Sequence, residues 1–152
     1  MEVCVKRATA VDINEVGRLF DAYRVFYKQA TDINLAINFI AERINNDESV
    51  IFYAISSNGN YLGFTQLFPS FSSVSVKRLW ILNDLYVLPE ARRSGVAKKL
   101  MAAAKAFAAE TNAKGVSLST AADNLNAQAL YESLDYQKGT VFYNYFLDTT
   151  AS

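Results

Sequence analysis

The chain has 152 residues, with 15 Lys and Arg against 15 Asp and Glu, and it contains no histidine. This length and a hydrophobic content of 51% predict one globular domain with a sizeable core. Zero net charge argues against a dedicated nucleic-acid-binding protein, which normally carries a basic surplus. The lack of histidine excludes the Ser-His and Cys-His nucleophile systems and removes the commonest transition-metal ligand, so no metal is expected.

The sequence carries no signal that favours export or membrane insertion. Its single cysteine, Cys4, cannot form a disulfide within the chain, so nothing calls for an oxidising compartment. Residues 1–10 lack the apolar core of a signal peptide, and no uncharged run approaches the roughly 20 residues that cross a bilayer. We therefore expect a cytoplasmic protein without a membrane partner.

Hydrophobic periodicity divides the chain into ten predicted elements. Thr9 and Asp12 form a capping-box pattern that begins the first helix, and Asn58-Gly59 is a tight-turn signal between two β-rich segments. In chain order the elements are a strand (2–7), two helices (10–28 and one following Asp32), three strands (50–56, 61–68 and 74–88), a helix after Gly95, a strand (116–120), a short helix at Asn124 and a strand (140–147). This order is typical of one α/β domain around a mixed sheet.

The loop before the third predicted helix is the most informative segment. Residues 92–97, with the sequence Arg-Arg-Ser-Gly-Val-Ala, place backbone N–H groups at a helix start, where the helix dipole adds partial positive charge. Gly95 lets the backbone approach a ligand without a Cβ in the way. Arg92 and Arg93 add two cations. The loop suits a pyrophosphate; the alternative is an ordinary loop with a solvated arginine pair.

Two motifs carry a resemblance to a known family. Residues 92–97 resemble the Arg/Gln-x-x-Gly-x-Gly/Ala loop of the GNAT superfamily of acyl-CoA-dependent N-acetyltransferases, and residues 82–90 resemble its central strand. Downstream, residues 124–134 are similar to its second signature, in which an Asn precedes a Tyr by two helical turns. Asp135 stands where the family usually has glycine, and a left-handed conformation there is better tolerated by Asp than by most residues.

The resemblance implies a single N-acetyltransferase domain over residues 1–152. It implies a GNAT-like α/β fold with a mixed, mostly antiparallel sheet of six to seven strands, about four flanking helices and a splay at the central strand. It also implies acetyl-CoA as cofactor, released as CoA. The implied cofactor contacts are Leu85, Tyr86 and Val87 for the pantetheine arm, Arg92, Arg93, Ser94, Gly95, Val96 and Ala97 for the pyrophosphate, and Asn124 and Tyr131 for the arm and the sulfur.

The implied reaction is direct attack of a primary amine on the thioester in a ternary complex. Tyr131 would protonate the leaving thiolate. Two alternatives stay open for the base: Asp84, or a water that relays the proton to another carboxylate or to a backbone carbonyl. Asn83 stands where the spermidine/spermine branch has a glutamate. Adjacent strand residues point to opposite faces, so Asp84 replaces that glutamate only if the strand contains a bulge.

The acceptor is expected to be an amine on a small molecule, protein or peptide. Residues 23–27, Tyr-Arg-Val-Phe-Tyr, resemble the histone- and polyamine-acetylating branch, which implies acceptor contacts for Tyr23, Tyr27 and Asn83. The alternative for the two tyrosines is core packing at i, i+4 spacing. A second candidate function, a CoA-binding sensor or regulatory module without turnover, is favoured by Asn83 and by the lack of histidine.

Aromatic side chains crowd the predicted last strand, residues 140–147, on both of its faces. A strand that is apolar on both faces must be covered on both. Two hypotheses provide the cover: a homodimer contact, or a place in the wall of the acceptor pocket.

Overall fold

A computed structural model describes residues 2–150 of the chain. Its contacts separate two units, one ending at Ser119 and the other beginning at Thr120. The single domain expected over residues 1–152 stays a prediction.

The first unit contains five strands and three helices. They are β1 (Val3–Arg7), α1 (Ile13–Phe26), α2 (Ile33–Asn45), β2 (Val50–Ser56), β3 (Tyr61–Ser72), β4 (Lys77–Val87), α3 (Val96–Glu110) and β5 (Val116–Ser117), with 3₁₀ turns at Ala10–Asp12 and Pro89–Ala91. The capping box at the first of these turns is confirmed, since the N–H of Thr9 donates to Asp12 Oδ2 at 2.9 Å. The helix expected over residues 10–28 is therefore a 3₁₀ turn followed by α1.

The strands form one mixed sheet in the order β1-β2-β3-β4-β5. The first four are antiparallel neighbours, and β5 pairs with β4 in parallel. The expectation of a mixed, mostly antiparallel sheet is confirmed, but the expected six to seven strands are wrong. The β4–β5 pairing covers only Trp80 with Val116 and Ile81 with Ser117. Beyond Ile81, that edge of β4 pairs with no strand in the first unit.

A β-bulge divides β4 into two parts that face opposite sides of the sheet. Gln66 pairs with Asp84 and Leu67 pairs with Leu82, so Asn83 is the extra residue. Directly opposed residues share a face. Before the bulge, Leu82 lies on the face of Leu67. After it, Asp84 lies on the face of Gln66, although the sequence spacing alone would place both even-numbered residues together.

Helices cover both faces of the sheet. On one face, α1 and α2 pack over β2, β3 and the end of β4, and Phe20, Phe64 and Tyr86 belong to that core. On the other face lies α3, whose Phe107 contacts Trp80 with ring centroids 5.0 Å apart. The bulge therefore turns Asp84 and Tyr86 toward α1, whereas Trp80 is turned toward α3.

Glycine allows α1 and α2 to pack closely. A Cβ added at Gly17 would lie 2.5 Å from Ile37 Cγ1 and 2.9 Å from its Cα, closer than real contacts allow. Gly17 thus sets the separation of the two helices. This contact holds α1, which carries Tyr23 and Phe26, against α2.

The second unit contains α4 (Leu125–Ser133), as predicted. The strand expected over residues 140–147 is wrong, because the structure gives no regular element there. Its large side chains are 79–94% exposed. The predicted strand 116–120 is also shortened, to the two residues of β5. None of the helices within residues 2–150 is long and apolar enough to cross a membrane.

Candidate active site

The open edge of β4 presents backbone groups that no neighbouring strand of the first unit uses. A Cβ on Gly63 of β3 would lie 2.6 Å from Tyr86 O, so the carbonyl of Tyr86 points toward β3. Backbone groups alternate between the two edges of a strand. Those of Leu85 and Val87 therefore point to the open edge. Leu85, Tyr86 and Val87 are expected to meet the pantetheine arm. Of these three, Leu85 and Val87 have backbone groups directed to the open edge.

Arg92 lies against this edge. Its Nε donates to the carbonyl of Val87 at 2.9 Å, and its guanidinium lies 5.5 Å from the Phe26 ring centroid and 5.7 Å from that of Tyr86. These contacts hold one cation between α1 and the end of β4. Arg92 is thereby tied to the strand, whereas a fully solvated side chain would make no such contacts.

The loop that follows has the conformation of an anion-binding nest. Gly95 is left-handed, with φ +80° and ψ 10°, and it precedes the right-handed first residue of α3, Val96. Such a left-right pair turns successive N–H groups into one concavity, and the first turn of a helix leaves further N–H groups without intrahelical partners. Arg93 is also left-handed, at φ 63°. Ser94 donates its hydroxyl to Ala91 O at 2.6 Å, which closes the loop onto the preceding turn.

Asp84 is a buried carboxylate, 3% exposed, at the residue after the bulge. Its Oδ2 accepts a hydrogen bond from Gln66 Nε2, and its Oδ1 accepts one from Asn83 Nδ2 at 2.8 Å. The Tyr23 hydroxyl reaches Asn83 O at 3.5 Å and also acts on the carboxylate as a hydrogen-bond donor. Within residues 2–150 the ion pairs found both involve Arg43, so neutral donors surround Asp84.

Burial raises the pKa of Asp84 above its ordinary value, because a charged carboxylate is poorly solvated there. The hydrogen bonds from Gln66, Asn83 and Tyr23 lower the pKa and offset part of that effect. A raised pKa brings a carboxyl closer to the range in which proton transfer near neutral pH is efficient.

Aromatic rings from α1, from its C-cap and from β4 form a wall beside Asp84. The Tyr23 ring centroid lies 5.0 Å from that of Tyr27 and 6.3 Å from that of Tyr86. Phe26 lies 6.1 Å from Tyr86. Tyr27 is 56% exposed and Phe26 is 57% exposed, so core packing accounts for only part of their surface. We call Tyr23, Phe26, Tyr27 and Tyr86 the aromatic wall.

A second buried carboxylate, Asp21 of α1, has a structural role. Asp21 is buried and accepts hydrogen bonds from Thr31 Oγ1 at 2.6 Å and from the N–H of Asp32 at 2.8 Å. These bonds join α1 to the residues that begin α2. Asp32 in turn caps α2 by accepting from the N–H of Leu35. Asp21 therefore holds the loop beside the aromatic wall in place.

The second signature forms a capped helix in the second unit. Asn124 accepts at Oδ1 from the N–H of Ala127 at 3.2 Å and so begins α4. At the other end, the N–H of Tyr136 donates to Tyr131 O and that of Asp135 to Glu132 O, a Schellman motif. Asp135 is left-handed with φ 68°, as expected of the residue that replaces the family's glycine.

The structure brings together three of the sequence-predicted residues: Tyr23, Asn83 and Asp84. It also reveals two polar residues that sequence reasoning missed, Gln66 and Ser49, whose Oγ donates to Gln66 Oε1 at 2.8 Å. The signal that could have revealed Gln66 is an uncharged polar residue within the apolar run 61–68. Within residues 2–150 no group of three or more His, Cys, Asp and Glu side chains could hold a metal ion.

Comparison with known proteins identifies the family. The model of the acetyltransferase (GNAT) family matches residues 16–136. The chain is 44% identical over 147 residues to the uncharacterized N-acetyltransferase YhfO of Bacillus subtilis, covering 97% of this chain and 98% of the relative. A crystal structure of a probable acetyltransferase superposes with a TM-score of 0.92 at 41% identity, covering 98% of this chain and 99% of the other. The chain belongs to the GNAT family, and the protein is an acetyltransferase.

More distant relatives carry more specific names. The D-amino-acid N-acetyltransferase HPA3 of Saccharomyces cerevisiae is 28% identical, with 93% of this chain and 89% of the relative aligned. An aminoglycoside acetyltransferase from a soil metagenome, crystallised with sisomicin, has a TM-score of 0.76 at 22% identity, with coverage of 96% and 97%. The second of these similarities shows the shared fold.

Burial of Asp84 predicts a characteristic pH dependence of stability. Below its ordinary pKa of 3.8 the carboxyl is protonated in the folded and unfolded states alike. As the pH rises from there to the raised folded-state pKa, the unfolded chain ionises first. The free energy of unfolding of the wild type, relative to Asp84→Asn, should then fall by up to about 1.4 kcal/mol per pH unit, and level off above the folded-state pKa. Urea denaturation from pH 4 to pH 8 measures this difference.

Asp12→Asn is the matched control. Burial raises the pKa of Asp12, but hydrogen bonds from the Thr9 N–H, from Tyr61 and Tyr53 and from the Thr9 hydroxyl outweigh it, so the pKa is lowered. The contribution of Asp12 should persist at neutral pH and be lost only as the pH falls through its folded-state value. A difference between the wild type and Asp84→Asn that does not change with pH would contradict the prediction.

Proposed function

We propose that this N-acetyltransferase moves an acetyl group from acetyl-CoA to a primary amine by direct attack in a ternary complex. The observation that carries the proposal is a buried carboxylate, Asp84, placed by a bulge beside an aromatic wall on the strand that also has an open backbone edge. A strand edge that no neighbouring strand of the first unit pairs with suits an amide-containing arm, and a carboxylate among neutral donors suits an amine proton.

The features of the loop support the cofactor assignment. The nest at Gly95 and the first turn of α3 provide backbone N–H groups for a pyrophosphate, and no Cβ obstructs them. Arg93, Ser94 and Ala97 complete the proposed cradle, and the backbone of Leu85 and Val87 would pair with the pantetheine arm. Acetyl-CoA supplies the acetyl group as an activated thioester.

Asp84 is the proposed base. An ammonium must lose a proton before its nitrogen can attack a carbonyl, and a carboxylate whose pKa is raised by burial accepts that proton more readily than an exposed one. The side-chain amide of Asn83 donates to Asp84, and its backbone carbonyl accepts from the Tyr23 hydroxyl. Asn83 would therefore orient the incoming nitrogen. The bulge supplies the change of face that Asp84 needs for this role.

Tyr131 is the proposed acid, and Asn124 the proposed contact of the cofactor arm. Both assignments rest on the second signature and on the helix that carries it. A phenol within hydrogen-bond reach of a leaving thiolate can protonate it. The ammonium loses two protons as it becomes an amide: one replaces the proton that Tyr131 gives to the thiolate, and the other is released to solvent.

The aromatic wall supports an acceptor with a cationic or apolar portion next to its amine, because ring faces attract both. We propose in addition that Tyr23 and Tyr27 contact the acceptor and that the protein belongs to the histone- and polyamine-acetylating branch. The amino-acid and aminoglycoside acceptors named for two relatives make those amines reasonable members of a test panel.

An amine panel tests the proposed function. Polyamines, amino acids of both configurations, aminoglycosides, a lysine peptide and a peptide with a free N-terminus are each incubated with acetyl-CoA, and thiol release and acetylated product are measured. The proposal expects stoichiometric CoA and acetyl-amine from at least one class. Binding of acetyl-CoA with no product across the panel would favour the sensor or regulatory module, which the asparagine at position 83 also suits.

Gly95→Leu should abolish binding of acetyl-CoA. The side chain enters the proposed pyrophosphate cradle and must adopt a φ near +80°, which costs about 1–2 kcal/mol. Gly59→Leu is the matched control, because Gly59 has φ +86° and open space around its Cβ but lies in a hairpin turn. Calorimetric titration should detect binding by the control only. Equal affinity for the two variants would contradict the cradle.

Tyr131→Phe should lower kcat about 100-fold while leaving the affinity for acetyl-CoA nearly unchanged, because it removes a proton donor and keeps the ring. Tyr136→Phe, whose ring centroid lies 6.1 Å from that of Tyr131 in the same cap, is the control and should retain kcat. Steady-state kinetics with saturating amine distinguish them. A rate for Tyr131→Phe equal to that of the wild type would remove the proposed acid.

We also propose that two copies of the chain associate through the exposed apolar segment 141–147. Its side chains Val141, Phe142, Tyr143, Tyr145, Phe146 and Leu147 are 79–94% exposed. At about 150–250 Å² for each aromatic ring, they offer about 1,000 Å² per copy, comparable with the roughly 800 Å² per partner of a stable interface.

Size-exclusion chromatography with light scattering at micromolar concentration should then report the mass of two chains, and Phe142→Asp with Phe146→Asp should report one. A wild-type protein that elutes as a clean monomer would contradict the association.

A further inference from the structure

Gln66 is fully buried in the middle of β3, directly opposite Asp84. The nitrogen and the oxygen of its side-chain amide make different contacts. The amide nitrogen donates to Asp84 Oδ2, and the amide oxygen accepts from Ser49 Oγ at 2.8 Å. Ser49 is itself buried and immediately precedes β2. A chain of side-chain hydrogen bonds therefore runs across three neighbouring strands of the sheet and ends on the carboxylate.

Both bonds are compatible with one orientation of the Gln66 amide. With the Ser49 hydroxyl donating to Oε1, the NH₂ group is left to face the carboxylate, and an ionised carboxylate can only accept. Reversal of the amide would place two acceptors, Oε1 and Oδ2, against each other. The orientation in which Ser49 donates to Oε1 and Nε2 donates to Oδ2 is therefore the one that favours an ionised Asp84.

The groups that reach the Asp84 carboxylate are few and uncharged. Gln66 comes from β3, Asn83 from β4 itself and Tyr23 from α1, and no charged side chain of residues 2–150 contributes to the pKa of Asp84. The other carboxylates under α1 are bound elsewhere: Asp12 to Thr9 and Tyr61, and Asp21 to Thr31 and Asp32. Without a cation, a buried carboxylate stays ionised only through its hydrogen bonds.

Among these donors Gln66 differs in burial. Asn83 is exposed and Tyr23 is half-buried, so water or an acceptor can compete for both of them. Gln66 is out of reach of solvent, so water does not compete for its donor on Oδ2. Its contact thus leaves Oδ1, which Asn83 approaches from the exposed side, as the oxygen nearer to an incoming amine.

We propose that Gln66, oriented by Ser49, is a positioning residue that keeps the Asp84 carboxylate ionised and aimed at the acceptor amine. The inference rests on the proposed function, in which Asp84 takes the amine proton. Gln66 does not touch the reacting atoms; it acts through Asp84.

The test is the pH profile of kcat/KM, measured with the best amine of the panel. Gln66→Met keeps the length of the side chain and removes the donor, which should move the acidic limb to higher pH by at least about one unit, with activity recovering on the alkaline side. Ser49→Ala should move the limb in the same direction by less, and Ser49→Thr, which keeps a hydroxyl, should restore it.

Thr65→Val is the matched control. Thr65 is equally buried and adjacent on β3, but it donates to the backbone carbonyl of Asp84 at 2.8 Å and not to the carboxylate. Its loss should leave the limb in place. A packing role for Gln66 would lower the rate of Gln66→Met uniformly across the pH range.

The outcomes separate this inference from the proposed function. An unshifted limb in both Gln66→Met and Ser49→Ala, together with an inactive Asp84→Asn, would overturn the positioning role and leave Asp84 as the base. Full activity of Asp84→Asn would instead remove the base itself. If Gln66→Met does not fold, the pair Ser49→Ala and Ser49→Thr decides the matter, because loss and return of the hydroxyl must move the limb in opposite directions.

Discussion

One additional residue in β4, Asn83, determines the character of the site. Before it, Trp80 and Leu82 face α3; after it, Asp84 and Tyr86 face α1. Without the bulge, period-two alternation would place the carboxylate on the α3 side, away from the aromatic rings of α1. The exposed position of the bulged residue also brings a side-chain amide next to the carboxylate. A local irregularity of the sheet thus assembles a polar site within an otherwise apolar layer.

The physical difficulty of this arrangement is a carboxylate without a cation. Burial favours the protonated form, and hydrogen bonds from neutral donors favour the ionised one. The balance leaves a group whose pKa is raised but which is still surrounded by donors suited to its charged form. Asp12, another buried carboxylate of the same protein, shows the opposite shift. Its pKa is lowered because its hydrogen bonds outweigh the effect of its burial. The contrast separates the proposed base from a carboxylate that caps the first 3₁₀ turn.

The proposed cofactor site depends on backbone groups more than on side chains. Family membership rests on a match over residues 16–136 and on a relative aligned over nearly its whole length. Backbone N–H and C=O groups are available at three places: the left-handed Gly95, the start of α3 and the open edge of β4. The positions of these groups follow from the geometry of the backbone. Zero net charge is compatible with such a site, because the positive potential is local and comes from dipoles and from Arg92 and Arg93.

Local patterns in the sequence were sufficient for the elements they depend on. The capping box at Thr9, the helix after Gly95, the cap at Asn124 and the left-handed Asp135 all follow from short-range sterics and hydrogen bonding, and all are present. Sequence alone did not determine the number of strands, because an aromatic run such as 140–147 becomes a strand only where an edge accepts it. Nor did it determine the partners of Asp84. A bulge and a buried Gln66 arise from pairing between β3 and β4, and the register of distant strands is decided by packing of the whole sheet.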